Sequence, residues 1–408
     1  MGRTLQIAWR NLGRSKKRTG LALLAIAVGQ FALLATSGLM HGYADNIQAA
    51  ITGPMIGHVQ IHDPNWRDER ALDLMLQDVN ALLQTVAAYP QVESVAARIY
   101  SPVLVAPQQE AFVAMIVGVE PEVESREYGL LSGLDTPLEP GKVLIGYRLA
   151  RKMQVEPGQE IAVIGQSVDG FMANALYRIQ DVIRCPADMV NLSGIVMSLA
   201  DAQTFLAMPD SAHEIVVRTG PMVDSQGLAD ALTQAPQLAG TEILAWQQLV
   251  PELVIVIKSA DFTAYFVLVL VFIAALAGIA NTLMMSTFER THEFGMLLSL
   301  GCRPGRIALM IVMEALLIAL LGILLGTILG YAFVAVTEES GIDMASRGDS
   351  EADDLAFKGL ALPLNVYPRL EPGDSLLGVV AILLTSLIAS IWPTWVAARL
   401  EPMEAMRQ

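Results

Sequence analysis

Charge is scarce in this 408-residue chain: Asp, Glu, Lys and Arg together make 16% of it, against roughly a quarter in soluble domains. With 53% hydrophobic residues, that shortage excludes an ordinary soluble protein and makes a membrane protein the default class. Cysteine is nearly missing as well. Cys185 and Cys302 are the only two, which excludes a disulfide framework. Catalytic motifs are missing too. A phosphate-binding loop needs Gly-x-x-x-x-Gly-Lys-Ser/Thr so that backbone N–H groups and the lysine cradle phosphates. The one Gly-Lys pair, Pro140-Gly-Lys-Val143, has the wrong spacing and the wrong following residue. There is no Gly-x-Ser-x-Gly elbow and no His-Glu-x-x-His zinc motif. The chain therefore reads as a non-enzyme, and any ATPase it works with is a separate polypeptide.

What charge there is lies in blocks. Residues 1–20 hold Arg3, Arg10, Arg14, Lys16, Lys17 and Arg18 and no acid. Residues 41–261 hold 27 acids and 12 bases, and residues 337–374 hold nine acids and three bases. Nucleic acid is a poor partner for such acidic regions, because phosphate binding needs clustered Lys and Arg. The basic blocks are short and abut apolar runs, as expected beside a cytoplasmic leaflet.

Four apolar runs, 19–40, 262–286, 307–336 and 375–398, are each long enough to cross a bilayer, which takes about 20 helical residues. The first is too long for a signal-peptide core and reads as an uncleaved anchor. Segments 1–18, 287–306 and 399–408 together hold 11 bases and 4 acids, so the positive-inside rule puts both termini and the 287–306 loop in the cytoplasm. Residues 41–261 and the acidic 337–374 loop then lie outside, and the two cysteines fall on opposite sides. Thr4–Lys17, with Leu5, Trp9 and Leu12 on one face, suits an interfacial leader helix.

Three features inside the membrane carry information. Gly322, Gly326 and Gly330 recur every fourth residue, which puts them on one helix face and permits close helix packing. Glu314 is the one charge in the third run. An intramembrane carboxylate is a functional candidate by default, although pairing with nearby Arg303 and Arg306 also accounts for it. Trp392 and Trp395 suit an interfacial belt, and Pro393 between them is expected to kink or end the last helix.

Residues 41–261 read as α+β, large enough for a genuine core and open to division into two subdomains. Strands are expected at 57–62, 94–106, 111–119, 142–146, 160–165, 175–184, 194–199, 214–218 and 242–246, with helices at 70–88, 147–153, 200–207 and 225–234. His58, His62 and Asp63 make a metal site conceivable, but a solvated strand edge is the plainer reading. The fold class is thus an α-helical membrane protein with four transmembrane helices and a large α+β extracytoplasmic domain between the first and second.

With that order of segments, several stretches resemble the FtsX/MacB-like (type VII) permeases of ABC transporters, closest to the lipoprotein-releasing LolC/LolE branch. The leader Ala8-Trp-Arg-Asn-Leu-Gly-Arg14 is similar to the family's start. Asn281-Thr282 followed by Glu289-Arg-Thr-His-Glu-Phe-Gly-Met-Leu-Leu-Ser-Leu-Gly301 is similar to its most specific motif. Glu314, Trp392-Pro393, Ala397 and Glu401-Pro-Met-Glu-Ala405 match recurrent positions. The 337–374 loop departs from the family in its length and acidity. Its run Asp349-Ser-Glu-Ala-Asp-Asp354 reads as solvated, or as a contact for an outside partner.

The resemblance implies a multi-pass protein of the bacterial inner (cytoplasmic) membrane that pairs with a second copy or a paralogue above a dimer of cytoplasmic ABC ATPases. Those ATPases would hold the ATP and magnesium; this chain would hold no cofactor and no metal. Residues 287–306 would carry the coupling helix. Glu289, Arg290 and Glu293 would make charged contacts, Phe294, Met296 and Leu297 would plug an apolar groove, and Gly295 and Gly301 would allow close approach or a helix end. Membrane lipid and a periplasmic carrier or adaptor are the further partners implied. The implied function is extraction of a lipoprotein or other amphiphilic cargo. Activation of a cell-wall hydrolase without transport, and efflux of amphiphilic drugs or peptides, are alternatives. The cargo-contacting residues are not legible.

Overall fold

The computed structural model describes Arg10 and residues 16–399, apart from 109, 127–128, 133, 135–136, 186, 221–222, 344–355, 358–359 and 362–364. The leader before Lys16 (Arg10 aside), the acidic run at 349–354 and the 401–405 pattern lie outside the described residues. Helices are α1 (Lys16–Ile51), α2 (Trp66–Glu69), α3 (Val79–Ala87), α4 (Pro121–Glu124), α5 (Tyr147–Met153), α6 (Asp188–Ser193), α7 (Leu199–Leu206), α8 (Ser225–Thr233), α9 (Trp246–Leu249), α10 (Pro251–Glu289), α11 (Thr291–Ser299), α12 (Pro304–Ser340) and α13 (Pro372–Ala398). The main strands are β1 (Val59–His62), β2 (Val92–Ala106), β3 (Phe112–Val119), β4 (Lys142–Gly146), β5 (Glu160–Gln166), β6 (Met172–Ile183), β7 (Gly194–Ser198), β8 (Glu214–Thr219) and β9 (Glu242–Ala245). The chain folds as two units. One comprises Met1–Asp45, Val256–Met344 and Asn365–Gln408, and the other comprises Asn46–Ile255 and Ala345–Leu364.

The first unit is helical. α1, α10, α12 and α13 are 36, 39, 37 and 27 residues long. All four are long and apolar enough to cross a membrane. Three of them far exceed the apolar runs, because hydrophobicity marks what lies in lipid and not where the hydrogen-bonded helix stops. Pro393 neither ends nor visibly breaks α13, which continues to Ala398. Trp392 and Trp395 stay exposed, with ring centroids 5.6 Å apart.

The glycine stripe packs on the first helix of the same chain. A Cβ on Gly322 would lie 2.6 Å from Ile26 Cγ2, one on Gly326 2.6 Å from the Ala27 carbonyl oxygen, and one on Gly330 2.7 Å from Leu34 Cδ1. The two backbones come this close only because the side chains are missing. Gln30 sits fully buried at the same seam, where its Nε2 reaches Thr327 Oγ1 at 3.4 Å.

The second unit is built on one sheet. Strand order is β3-β7-β4-β6-β5-β2-β8-β1-β9, and β3 also pairs with β2. The pairings therefore run a closed circuit through β2, β3, β7, β4, β6 and β5, from which β8, β1 and β9 extend. A single pairing network joins the strands, which replaces the division into two subdomains with one sheet bearing a core on each face. Side chains alternate across a strand. On β2, Ala97, Ile99, Val103 and Val105 enter the larger apolar cluster. On β3, Val117 and Val119 point the other way, into a smaller cluster with Leu130, Leu144, Val190 and Val196. A register shift between Val143 and Leu144 lets β6 serve both, with Ile179 in the first cluster and Ile183 in the second.

The expected helix at 70–88 is only its second half. Asp78 adopts φ +51°, which stops the helix from extending backward past Val79. Leu76 instead bridges Ala212, and Leu72 and Met75 pack on the core without helical backbone. The expected solvated edge at His58–His62 is also corrected. β1 is flanked by β8 and β9, and His62 is fully buried. Cys185 is buried and free, and burial pushes its thiol up to about 11.

Gly326→Leu should force α1 and α12 apart and lower the stability of the solubilised chain by about 1–3 kcal/mol. Gly305→Ala, where a Cβ meets nothing within 4 Å, should be silent in the same thermal-unfolding assay.

Candidate functional site: a short helix braced by buried charge

The segment 287–306 folds as a break, a nine-residue helix and a tight cap. Arg290, with φ −110° and ψ 13°, separates α10 from α11. The far end closes as a Schellman motif: Gly301 is at φ +85°, its N–H donates to the Leu298 carbonyl, and the Cys302 N–H donates to the Leu297 carbonyl. Pro304 then opens α12 at a position where its missing N–H costs nothing.

Helical periodicity divides α11 into two faces. Phe294 and Gly295 are buried, and Phe294, at 1% exposure, joins Leu283, Ile307 and Ile311 in the apolar cluster of this unit. His292, Met296, Ser299 and Leu300 are exposed, and Leu300 is 84% exposed. Phe294 thus anchors the helix to its own chain and does not project from it. The projecting apolar groups are Met296 and Leu300.

The charged residues brace this arrangement. Arg290 Nη1 donates to Glu314 Oε2 and Arg290 Nε to Glu293 Oε2, each at 3.2 Å, and the guanidinium lies 5.0 Å over the Phe294 ring. Ser286 Oγ donates to Glu314 Oε1 at 3.4 Å. The side chains of Arg290 and Glu314 are only 11% and 9% exposed. Among the described residues, Glu314 therefore pairs with Arg290, 24 positions earlier, and not with Arg303 or Arg306. The fold-back at Arg290 makes that pairing, and sequence distance hides it. Glu289 is held by Arg18, whose Nη2 lies 2.6 Å from both carboxylate oxygens. That pair is exposed and contributes little by itself.

A second ionic cluster lies in the α+β unit. Glu124 is fully buried and accepts from Arg98 Nε and Arg218 Nη2, both at 2.7 Å, and from the Leu130 N–H at 2.8 Å. Arg98 also donates to the carbonyls of Met55 (2.5 Å) and Pro54 (2.7 Å), and Arg218 donates to that of Gly53 (2.8 Å). The two arginines thus grip the turn that follows α1 in the chain. Burial alone would raise the Glu124 carboxyl, but the flanking guanidinium groups outweigh it and hold the group below the ordinary carboxylate range. The available signal for this cluster was an arginine in each of two largely apolar strands, Arg98 in β2 and Arg218 in β8. No group of three or more metal-ligating side chains occurs among the described residues.

Four long apolar helices, a sheet domain in the first connection and a capped helix in the second define a membrane permease of the ABC-transporter type. The FtsX-like permease C-terminal family model matches residues 265–402, and the MacB-like periplasmic core domain model matches residues 19–235. The chain belongs to the FtsX/MacB-like permease family. It is 23% identical over 421 residues to the lipoprotein-releasing system transmembrane protein LolE of Haemophilus influenzae, covering 98% of each chain. It is 22% identical over 431 residues to the macrolide export ATP-binding/permease protein MacB of Hahella chejuensis, covering 98% of this chain and 59% of that one. Among solved structures, the periplasmic region of MacB from Actinobacillus actinomycetemcomitans aligns with a TM-score of 0.34 at 13% identity, over 48% of this chain and 91% of that one.

Arg290→Met should destabilise the chain by about 3–5 kcal/mol, because it leaves the Glu314 carboxylate buried without its cationic partner. Arg290→Met combined with Glu314→Gln should recover most of that loss. Thermal unfolding of the two single variants and the double variant gives the coupling energy.

Proposed function

We propose that this chain is one subunit of a permease pair in the bacterial inner membrane, coupling ATP hydrolysis on separate ABC ATPase subunits to movement of its outer domain. The pair extracts a lipoprotein or other amphiphilic cargo from the membrane. The observation that carries this reading is likeness to a lipoprotein-releasing permease over 98% of both chains. The reading places ATP and magnesium on the ATPase and leaves this chain non-catalytic. It puts both termini and α11 in the cytoplasm, in line with the positive-inside rule.

In this reading α11 is the coupling helix. Its exposed face of His292, Met296 and Leu300 enters the ATPase groove, Glu289 and Glu293 rim the contact, and Phe294, Gly295 and Arg290 hold the helix to its own membrane unit. The apolar faces left exposed on α10 (Phe262, Phe266, Val269) and α13 (Leu384, Ile388, Ile391) suit lipid or a second permease copy. A periplasmic carrier or adaptor finds a landing point at the β5–β6 hairpin, where Phe171, Met172 and Leu176 are all more than 70% exposed. Efflux of amphiphilic small molecules is the second reading, favoured by the likeness to a macrolide export protein.

Two measurements test this. Met296→Asp with Leu300→Asp should release the ATPase on purification or lower its activity at least about tenfold, while the permease itself stays folded. Unchanged ATPase binding would refute the docking role of α11. The complex purified from its native membrane should carry lipidated protein; recovery of a cell-wall hydrolase and no amphiphilic cargo would refute transport.

A further inference from the structure

The sheet of the α+β unit is not filled evenly on its second face. Alternation puts Gln60 and His62 of β1, Glu214 of β8, Tyr100 and Pro102 of β2 and Met115 of β3 on that face. The register confirms the neighbourhood: His62 lies opposite Glu214, Glu214 opposite Arg98, and Pro102 opposite Met115. Here the apolar packing stops and a cavity of about 550 Å³ begins. That volume falls within the range of small-molecule sites and is far too small for a protein cargo.

The lining has two chemistries. Met55, Met115 and Met189 line it, together with Ile56, Leu249 and Val250. Methionine walls adapt to flexible chains. Glu214 is the only carboxylate of the lining, and it is already engaged. It accepts from the Tyr100 hydroxyl at 2.7 Å and lies 3.9 Å from Arg98. The cations of the lining are Arg67 and Arg70, both exposed. Arg70 is steadied 5.2 Å over the Trp66 ring, which is itself stacked on His213 at 4.1 Å. Two lining residues near those arginines also keep an unpaired ring nitrogen. His62 Nδ1 lies 3.0 Å from the Asp63 carbonyl oxygen and 3.4 Å from Glu242 Oε2, a carboxylate outside the lining, but its Nε2 has no partner, and neither has Trp66 Nε1. Buried polar atoms are nearly always paired, so the polar end of this cavity is the end short of partners.

We propose that the cavity binds one small anionic amphiphile, with its apolar chain along the methionine wall and its carboxylate or phosphate at Arg67 and Arg70. This goes beyond the transport reading and holds whichever cargo the permease carries. The site's place in the chain gives it a use. Met55 and Ile56 follow α1, Leu249 ends α9 and Val250 precedes α10, and the Met55 carbonyl is one of the two gripped by Arg98. An occupant therefore touches both chain connections of the domain.

The test uses the full chain in lipid nanodiscs with a photoreactive diazirine dodecanoate and the matching dodecanol. Irradiation should label peptides containing Met55, Met115 or Met189, saturably and in competition with plain dodecanoate. Met115→Trp, which fills the cavity, should abolish that labelling. Arg67→Gln with Arg70→Gln, both exposed, should raise the half-saturating concentration of the carboxylate about tenfold and leave that of the alcohol unchanged. Competition by lysophosphatidate in the nanodisc, stronger than by free dodecanoate, would assign the natural occupant to membrane lipid; the reverse order would assign it to a free carboxylate. Labelling confined to α1, α10, α12 and α13, or unaffected by Met115→Trp, would overturn the site. Equal loss of both probes in the arginine variant, or loss of neither, would overturn the anionic head group.

Discussion

A charge taken out of water has to be met by another charge or by several hydrogen bonds, and both units of this chain are organised around that demand. In the helical unit, Glu314 is held by Arg290 and Ser286. In the α+β unit, Glu124 is held by Arg98 and Arg218, and the same two arginines also donate to three successive carbonyls, Gly53, Pro54 and Met55. Neither arrangement is a strong net source of stability, since a well-packed apolar replacement would do as well. What each supplies is geometry. Arg290 stands at the break between α10 and α11 and pairs there with Glu314, and the arginine pair holds the carbonyls of the short π-helix Thr52–Ile56.

The legible parts of the fold were those set by local signals. β4 and α5 fall where the alternation and the glycines around 141–146 place them, and β2, β3, β7 and β8 end within two residues of expectation. The apolar runs marked four helices, though not their ends, because a helix that leaves lipid keeps its hydrogen bonds while its composition turns polar. What was not legible depended on partners far away in sequence. Leu72 and Met75 keep helical spacing with Val79 and Leu82, yet they pack half-buried on the core from non-helical backbone because Asp78 turns left-handed and Leu76 pairs with Ala212. His62 looked like an edge residue until β8 and β9 closed on either side of β1.

The glycine stripe shows the same division. Its spacing in α12 announces a close helix contact, and periodicity alone requires that all three residues share a face. It does not name the partner. The partner is α1, met at Ile26, Ala27, Gln30 and Leu34. These four residues are themselves spaced as one helical face, so the contact runs for two turns on both sides. Close backbone approach over that length resists sliding and hinging alike. α1 and α12 are therefore joined by a continuous close contact, and the Schellman cap and Pro304 connect α12 to α11.

In the coupling role proposed above, the motif at 289–301 would have to do two things that compete for the same few residues. A helix that passes force must be fixed to its own chain and must also offer a face to another. With nine residues and 3.6 per turn, α11 has room for one narrow stripe of each kind. Phe294 and Gly295 take the inner stripe, and Arg290 closes it by pairing with Glu314 and lying over the Phe294 ring. His292, Met296 and Ser299 remain for the outer one, which Leu300 at the C-cap extends. The charge that made this segment conspicuous thus serves mainly to brace it from within. In the proposed role the docking face is Met296, which the family resemblance had named, and Leu300, which it had not.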